Sequence, residues 1–109
     1  MTRRITIEAC YAFNTKTNFK LNNTEVRIVD GNPEMYLFGN KIAWVANGRL
    51  HWTMAGHPTV TTRERLNSLL REVIYQRNGK QFIASCTDGE EMRKEIDPDE
   101  VYVDEEFRP

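Results

Sequence analysis

Regular alternation of apolar and polar side chains predicts two strands in the first third of the chain. Every second position from residue 5 to residue 13 is apolar, which is the period of a strand with one buried face. These positions are Ile5, Ile7, Ala9, Tyr11 and Phe13. A strand is therefore expected over about 3–13. The polar residues 14–23 predict a loop, and a second alternation predicts a strand over 24–29 that ends at the turn Asp30-Gly31-Asn32-Pro33.

Turn signals divide the next part of the chain into short strands. Strands are predicted at 34–38, 41–46 and 49–54, with turns at Gly39-Asn40 and Asn47-Gly48. The register expected for the last two strands places Trp44 and Trp52 on one face, where two large rings would fill much of a small core. The other residues expected on that face are Ile42, Ala46, Leu50 and Met54.

Helical spacing replaces the alternation after Pro58. Thr61, followed by Glu64 three positions later, has the pattern of a capping box, in which each side chain satisfies one free backbone amide at the helix start. Apolar residues then recur at helical intervals, at Leu66, Leu69 and Leu70. The sequence therefore predicts a helix over about 62–71 with Thr61 as its N-cap.

Residues 72–84 have two interpretations. They can continue the helix, or they can form a hairpin of strands 73–77 and 80–84 around Asn78-Gly79. The β-branched and aromatic residues of this stretch favour the hairpin. Further on, Asp88 is predicted to cap a short helix over about 89–96, and a last strand is predicted at 101–103.

Together these elements predict one α+β domain over residues 1–86. Its main part is a mostly antiparallel sheet of six to seven strands with one principal short helix. Residues 87–109 are predicted to form a short acidic C-terminal extension that docks on this domain. A chain of 109 residues with 39% hydrophobic and 28% charged residues has the composition of a soluble globular protein.

The net charge of −1 conceals two parts of opposite sign. Residues 1–80 carry 12 Lys and Arg against 6 Asp and Glu, a balance of +6, whereas residues 81–109 carry 3 against 10, a balance of −7. A basic body attracts phosphate groups. The acidic end can cover the basic surface, present carboxylates to a basic partner, or simply keep the protein in solution.

The start of the predicted helix is the candidate site for an anion or a partner. Its residues are His57, Thr61, Thr62, Arg63 and Arg65. Free backbone amides in the first turn of a helix attract anions, and hydroxyl and guanidinium groups beside them would complete a phosphate-sized site. The alternative is that Thr61 only caps the helix while both arginines are solvated. The sequence lacks the Gly-rich run of a P-loop.

No motif in the sequence predicts an enzyme, a bound metal or a cofactor. Cys10 and Cys86 lack the spacing of a metal knuckle or a disulfide framework, and neither stands in a nucleophile motif. The spacing of His51 and His57 fits no standard zinc pattern. The N-terminal residues have no apolar signal segment and no apolar run could span a bilayer, so we expect an intracellular protein without a membrane partner.

Nucleic-acid binding is another interpretation of the basic body. A sheet with exposed aromatic rings and a basic rim can stack bases and contact phosphates. The rings considered for such a sheet are Tyr11, Tyr36, Tyr75 and Phe82. The sequence lacks the consensus of RNA-recognition motifs, and these rings can equally belong to the core.

Two segments resemble a group of small, mostly uncharacterised accessory proteins of tailed bacteriophages. The segment from Met35 to Ala43 contains the pattern YLxGNxIA, and the segment from Gly56 to Leu70 contains GxxTxTTRxRLNxLL. The resemblance covers about residues 34–84. Where this chain has His57, the group more often has a tryptophan, and where it has Phe38, a histidine is common.

The resemblance implies an accessory protein that acts in the cytoplasm of a bacterial host, and it implies no reaction. Such proteins bind and modulate a host factor, bind nucleic acid, or counter a defence system. With the missing catalytic motif and the divided charge, the sequence predicts a non-enzymatic binding protein with a host protein as its favoured partner. The alternatives are nucleic acid, and a small phosphorylated ligand such as a nucleotide signal held at residues 61–65. The oligomeric state stays open, with a homo-oligomer among the options.

Overall fold

The structure, a computed structural model, describes residues 3–87 and 90–104. Within this part of the chain there are two helices and nine strands. The helices are α1 (Arg4–Asn14) and α2 (Val60–Leu69). The strands are β1 (Phe19–Leu21), β2 (Thr24–Val29), β3 (Asn32–Leu37), β4 (Asn40–Ala46), β5 (Arg49–Trp52), β6 (Val73–Arg77), β7 (Lys80–Thr87), β8 (Glu90–Ile96) and β9 (Tyr102–Asp104).

The strands form two antiparallel sheets. Six strands pair in the order β1-β2-β3-β4-β5-β9, and three pair in the order β6-β7-β8. Helix α1 contacts β2 and β3, while α2 contacts α1, β4 and β6. The predicted fold class, α+β with mostly antiparallel sheet, is confirmed, and the structure adds a second helix and divides the strands between two sheets.

The core lies between the two helices and the six-stranded sheet. Apolar side chains that are at most 1% exposed come from α1 (Ala9, Phe13), from α2 (Leu66) and from the sheet (Met35, Leu50). The three-stranded sheet adds one apolar side chain from each of its strands to the same cluster, namely Ile74, Ile83 and Ile96. One continuous core therefore joins both sheets.

Most of the predicted strands are confirmed. β2 occupies the predicted range, and β3, β4 and β5 differ from their predicted boundaries by one or two residues. β6 and β7 pair around Asn78 and Gly79, so the hairpin interpretation of residues 73–84 is confirmed. β9 confirms the predicted last strand and pairs with β5. Both strands that come from the predicted acidic extension, β8 and β9, thus pair with strands of residues 1–87.

The predicted strand over 3–13 is wrong, because these residues form α1. The helix buries Thr6, Ala9 and Phe13, which are spaced by three and four positions. Ile7 and Tyr11, which the alternation placed in the core, are 58% and 70% exposed. The same residues contain both an alternating and a helical pattern, and the contacts of the helical set with α2 and the sheet decide between them.

The predicted helix over 89–96 is also wrong, since residues 90–96 form β8. This strand pairs with β7 along its whole length, from Glu90 opposite Thr87 to Ile96 opposite Gln81. Its charged residues have a low preference for strands, but the backbone ladder and the burial of Ile96 outweigh that preference. Asp88, the predicted cap of the helix, lies outside the described residues.

Helix α2 begins two residues before its predicted start, so Thr61 is not its N-cap. Thr59 has an extended backbone (φ −105°, ψ 162°), and its Oγ1 accepts a hydrogen bond from the Thr62 amide at 3.1 Å. The predicted capping box of Thr61 and Glu64 is therefore wrong. Both threonines suit an N-cap chemically, and the extended conformation of the residue after Pro58 selects the earlier one.

The turn at Asn47-Gly48 overturns the predicted register of the two tryptophans, because β4 and β5 pair with Trp44 opposite His51 and Trp52 opposite Ala43. A bulge in β4 adds a second departure from the expected alternation. The pairing with β3 shifts between Met35 and Tyr36, and Ile42 is the extra residue on the β4 side. Because of this bulge, Ile42 and the residue after it are both buried. Trp44 lies on the face opposite Trp52, as the pairing of β4 with β5 requires, so the prediction that they share a core face is wrong.

The position of the N-cap predicts different costs for two neighbouring threonines. Thr59→Ala should lower the free energy of unfolding by about 1 kcal/mol, because a helix amide loses its acceptor. Thr61→Ala should lower it by less than about 0.5 kcal/mol, since Thr61 only accepts a hydrogen bond from the exposed Arg3. Urea unfolding of both variants measures the difference, and the reverse order would contradict the assignment of the cap.

Candidate functional site

Two of the five predicted site residues lie inside the protein. Thr62 is 1% exposed, and Arg65 is fully buried. Together with Leu66 and Leu69 they form the buried stripe of α2. Arg65 thus occupies a position where the helical pattern favours an apolar residue, and it is a buried cation instead of a solvated one.

Arg65 is the centre of a polar network that joins three elements. Its Nε donates to Oγ1 of Thr24 in β2 at 3.1 Å, and its Nη1 donates to Oγ1 of Thr6 in α1. The same Nη1 donates to Oε1 of Glu64 at 2.7 Å. The Thr6 hydroxyl in turn donates to this carboxylate, which also accepts from Arg3 at 3.1 Å. The network fastens α1 to α2 and links both helices to β2.

Burial and charge oppose each other in this network. Burial raises the pKa of Glu64, but hydrogen bonds from Thr6 and Arg3 and the charges of Arg3 and Arg65 outweigh it, so the pKa lies below its ordinary value. Burial and repulsion from Arg3 lower the pKa of Arg65, against the attraction of Glu64. Nη2 of Arg65 is buried and has no hydrogen-bond partner among the described residues. A ligand on the surface cannot contact this guanidinium, because none of it is exposed.

The other three predicted residues have separate surroundings. Arg63 donates from Nη1 to the backbone carbonyl before α2 at 3.2 Å and to glutamines of β6 and β7 at 3.2 and 2.8 Å. Thr61 accepts a hydrogen bond from Arg3 at 3.2 Å. His57 is exposed. Binding of an anion or a partner at these surface residues stays a prediction, and Arg65 belongs to the interior.

One side of the six-stranded sheet carries a row of aromatic and charged side chains. We call it the outer sheet face, because it is opposite the side on which Val26, Met35 and Leu50 are buried against the helices. Its residues are exposed or half-buried, and they come from β2, β3, β4 and β5: Glu25, Arg27, Glu34, Tyr36, Lys41, Trp44 and His51.

Rings and cations of the outer sheet face contact one another across the strands. The guanidinium of Arg27 lies 4.3 Å from the centre of the Tyr36 ring, and the ammonium of Lys41 lies 4.7 Å from that of Trp44. The Trp44 and His51 rings stack, with their centres 5.7 Å apart and their planes 13° from parallel. Cross-strand contacts of this kind contribute about 0.5–1 kcal/mol each. They hold large side chains in a fixed arrangement on an open surface.

The carboxylates of this face are paired within it. Glu25 lies 3.0 Å from Arg27, and Glu34 lies 3.6 Å from Lys41. Glu34 also accepts a hydrogen bond from the Tyr36 hydroxyl at 2.6 Å. This hydrogen bond, burial and the charge of Glu34 raise the pKa of Tyr36, so the phenol stays protonated. The face therefore offers flat rings, and its two cations and two carboxylates are paired with each other.

The four rings predicted for a nucleic-acid-binding sheet do not lie together. Tyr36 is on the outer sheet face. Tyr75 and Phe82 stack on each other in the three-stranded sheet, with their centres 5.5 Å apart. Tyr11 lies on the exposed side of α1. Only one of the four predicted rings is thus part of the row.

Trp44 and His51 are the residues of this surface that sequence reasoning missed. The signal was present in the turn Asn47-Gly48, because a two-residue turn pairs residue 46 with 49 and hence Trp44 with His51. That pairing places the tryptophan beside a polar ring. The large apolar ring of a tryptophan favours a core position, and this preference conceals the signal in the turn.

Metal, thiol and membrane features give no further site. Within residues 3–87 and 90–104, no group of three His, Cys, Asp or Glu side chains could hold a metal ion. The thiol of Cys10, on α1, donates to the backbone carbonyl of Ser68 at 3.1 Å, and nothing is described of the Cys86 side chain. No helix in the described part of the chain is long and apolar enough to cross a membrane.

The lowered pKa of Glu64 predicts stability that is lost in acid. The folded state favours the ionised carboxylate, so its contribution is present above about pH 4.5 and is lost as the pH falls through the lower pKa of the folded protein. We expect the free energy of unfolding of the wild type to fall more steeply below about pH 5 than that of Glu64→Gln. Urea unfolding at a series of pH values tests this, and parallel profiles would contradict it.

Comparison with known families extends the resemblance to phage proteins over almost the whole chain. Residues 2–108 match a family described as Kyanoviridae Gp96 protein. Searches of curated proteins and of solved structures gave no match. The family match includes α1, β8 and β9, and thus reaches well beyond the segment 34–84 that carries the resemblance in sequence. The chain belongs to the Kyanoviridae Gp96 family of phage proteins.

Proposed function

We propose that this phage protein is an accessory protein that acts by binding and not by catalysis. It modulates a host protein, which it contacts with the outer sheet face in the cytoplasm of the bacterial host. Factors of host defence belong to this class of partner. The observation that carries the proposal is the row formed by Arg27, Tyr36, Lys41, Trp44 and His51.

The residue types of this row favour a protein partner. Tryptophan, tyrosine and arginine are the side chains that most often dominate the binding energy of protein interfaces. In the outer sheet face these side chains already rest against their neighbours, so less freedom is lost when a partner binds. Glu25 and Glu34 are paired with cations of the same face, so a partner need not compensate them.

A sheet face that only contacts water does not need large aromatic side chains. An antiparallel sheet often has one face in water, and short polar or charged side chains are sufficient there. Here that face holds Trp44 and Tyr36, two large rings whose apolar surface is only partly covered by Arg27 and Lys41. Exposed apolar surface rimmed by polar groups is typical of an interaction site.

Replacement of Trp44 by threonine tests the proposal. Threonine is well suited to a strand, and Trp44 lies outside the core, so we expect Trp44→Thr to stay folded. Tagged wild-type protein should retain a specific protein from nuclease-treated host lysate. Once purified, this protein should bind Trp44→Thr at least about tenfold more weakly than the wild type in calorimetry, because a central ring is lost.

Tyr11→Ala is the matched control. It removes a well exposed ring from α1, which packs on the opposite side of the sheet, and it should bind the partner as the wild type does. Full binding by Trp44→Thr, or equal loss in both variants, would contradict the assignment of the outer sheet face. Capture that disappears on nuclease treatment would indicate nucleic acid as the partner.

A further inference from the structure

Phe38 occupies a position where the turn geometry favours a different residue. It is the first residue of the two-residue turn between β3 and β4, with φ +51°, and Gly39 follows with φ +81°. A turn with positive φ at both positions favours Asn or Asp before the glycine. Of the four other described residue pairs with positive φ at both positions, three follow this rule, namely Asp30-Gly31, Asn47-Gly48 and Asn78-Gly79, and the fourth has the small residue Ala55 before Gly56. A phenylalanine in the same conformation weakens the turn.

The unfavourable backbone conformation of Phe38 is not offset by burial of its side chain. The Phe38 side chain is 72% exposed, so it gains little from removal of apolar surface from water. Its amide donates to the carbonyl of Asn23 at 2.7 Å, which ties the turn to the one between β1 and β2. A strained backbone under a large exposed ring is typical of a residue that serves contact with another molecule.

An apolar cavity has Phe38 among its lining residues. Its volume is about 360 Å³, and it is bounded by the turn and by the start of α2. Leu37, Ile42 and Met54 line it and are at most 4% exposed, while His57 and Thr59 supply polar groups. A concave site that is mostly apolar and has a few polar groups is the usual form of a small-ligand site.

A polar cavity also has Phe38 among its lining residues. Its volume is about 650 Å³, and its charged lining residues are Lys20, Glu25 and Arg27. Arg27 is paired with Glu25, so the charge of Lys20 is in excess. Phe38 is thus common to the linings of the apolar and the polar cavity.

We propose that Phe38 is the stacking residue of a binding site for one nucleotide unit, a base with its phosphate, either free or within a single strand. The base lies against the Phe38 ring at the apolar cavity, and the phosphate lies on the side of Lys20. An apolar peptide side chain would use only the first cavity, and inorganic phosphate only the second. A ligand with a flat ring and an anionic group uses both. This site is separate from the surface around Trp44 that is proposed to contact a host protein, and it adds a second binding activity.

Direct binding is measured with two kinds of probe. Fluorescence anisotropy uses a labelled single-stranded oligonucleotide of mixed sequence, and thermal shift uses ATP, GTP, CTP and UTP. The protein is expected to bind at least one probe. Binding of a mononucleotide identifies free nucleotide as the source, and binding of the oligonucleotide alone identifies a single strand. Failure of every probe to bind at about 1 mM in low salt overturns the proposal.

Phe38→Asn separates the role of the ring from the stability of the turn. Asn suits positive φ, so this variant should unfold at a temperature roughly 4 °C higher than the wild type. It should also bind the probe at least about fivefold more weakly, because one stacking contact is lost. Phe38→Trp retains a ring and should bind within about twofold of the wild type. Undiminished binding by Phe38→Asn overturns the proposal.

Two further variants locate the phosphate and control for the loss of a ring. Lys20→Gln should weaken binding of the oligonucleotide and lower the slope of its salt dependence by about 0.7, since one phosphate contact of a single strand is removed. Tyr11→Ala removes an equally exposed ring from α1 and should bind the probe as the wild type does. An unchanged salt slope in Lys20→Gln overturns the placement of the phosphate.

Discussion

A buried guanidinium is the constraint around which this protein is organised. A cation taken out of water is destabilising unless an anion and hydrogen-bond acceptors surround it. For Arg65 these groups come from Glu64 beside it, Thr6 in α1 and Thr24 in β2. Glu64 supplies the opposite charge from the same helix, but the hydroxyl acceptors are in place only when α1 and β2 pack against α2. The network therefore couples the packing of α1, α2 and the six-stranded sheet, with the apolar core beside it.

This arrangement determines which surfaces can serve function. Both helices pack on one side of the six-stranded sheet, so the half-buried row of Tyr36, Trp44 and His51 lies on the other side. Phe38 lies in the turn between β3 and β4 at one end of the same sheet and lines both an apolar and a polar cavity. Arginines in a helix start suggest an anion site in the sequence, but in the structure Arg65 compensates a carboxylate internally. The structural and the proposed binding residues are thus separate sets.

Local chemistry explains which elements could be predicted from the sequence. Turns such as Asn47-Gly48 and Asn78-Gly79 require positive φ, and they identify the hairpins without knowledge of the rest of the fold. The wrong predictions concern positions whose structure depends on residues far away in the sequence. The burial of Arg65 depends on Thr24 and Thr6, which are 41 and 59 positions away. Likewise, α1 is selected by its contacts with α2, and the bulge at Ile42 leaves no mark in the alternating pattern.

The most direct test of the buried network is a double-mutant cycle between Thr6→Val and Arg65→Met. In the wild-type background, Thr6→Val removes the hydroxyl that links Arg65 to Glu64, and it should lower the free energy of unfolding by about 1–3 kcal/mol. In the Arg65→Met background the charge is gone, so the same substitution should cost at least about 1 kcal/mol less. Equal costs in both backgrounds would contradict the central role of Arg65.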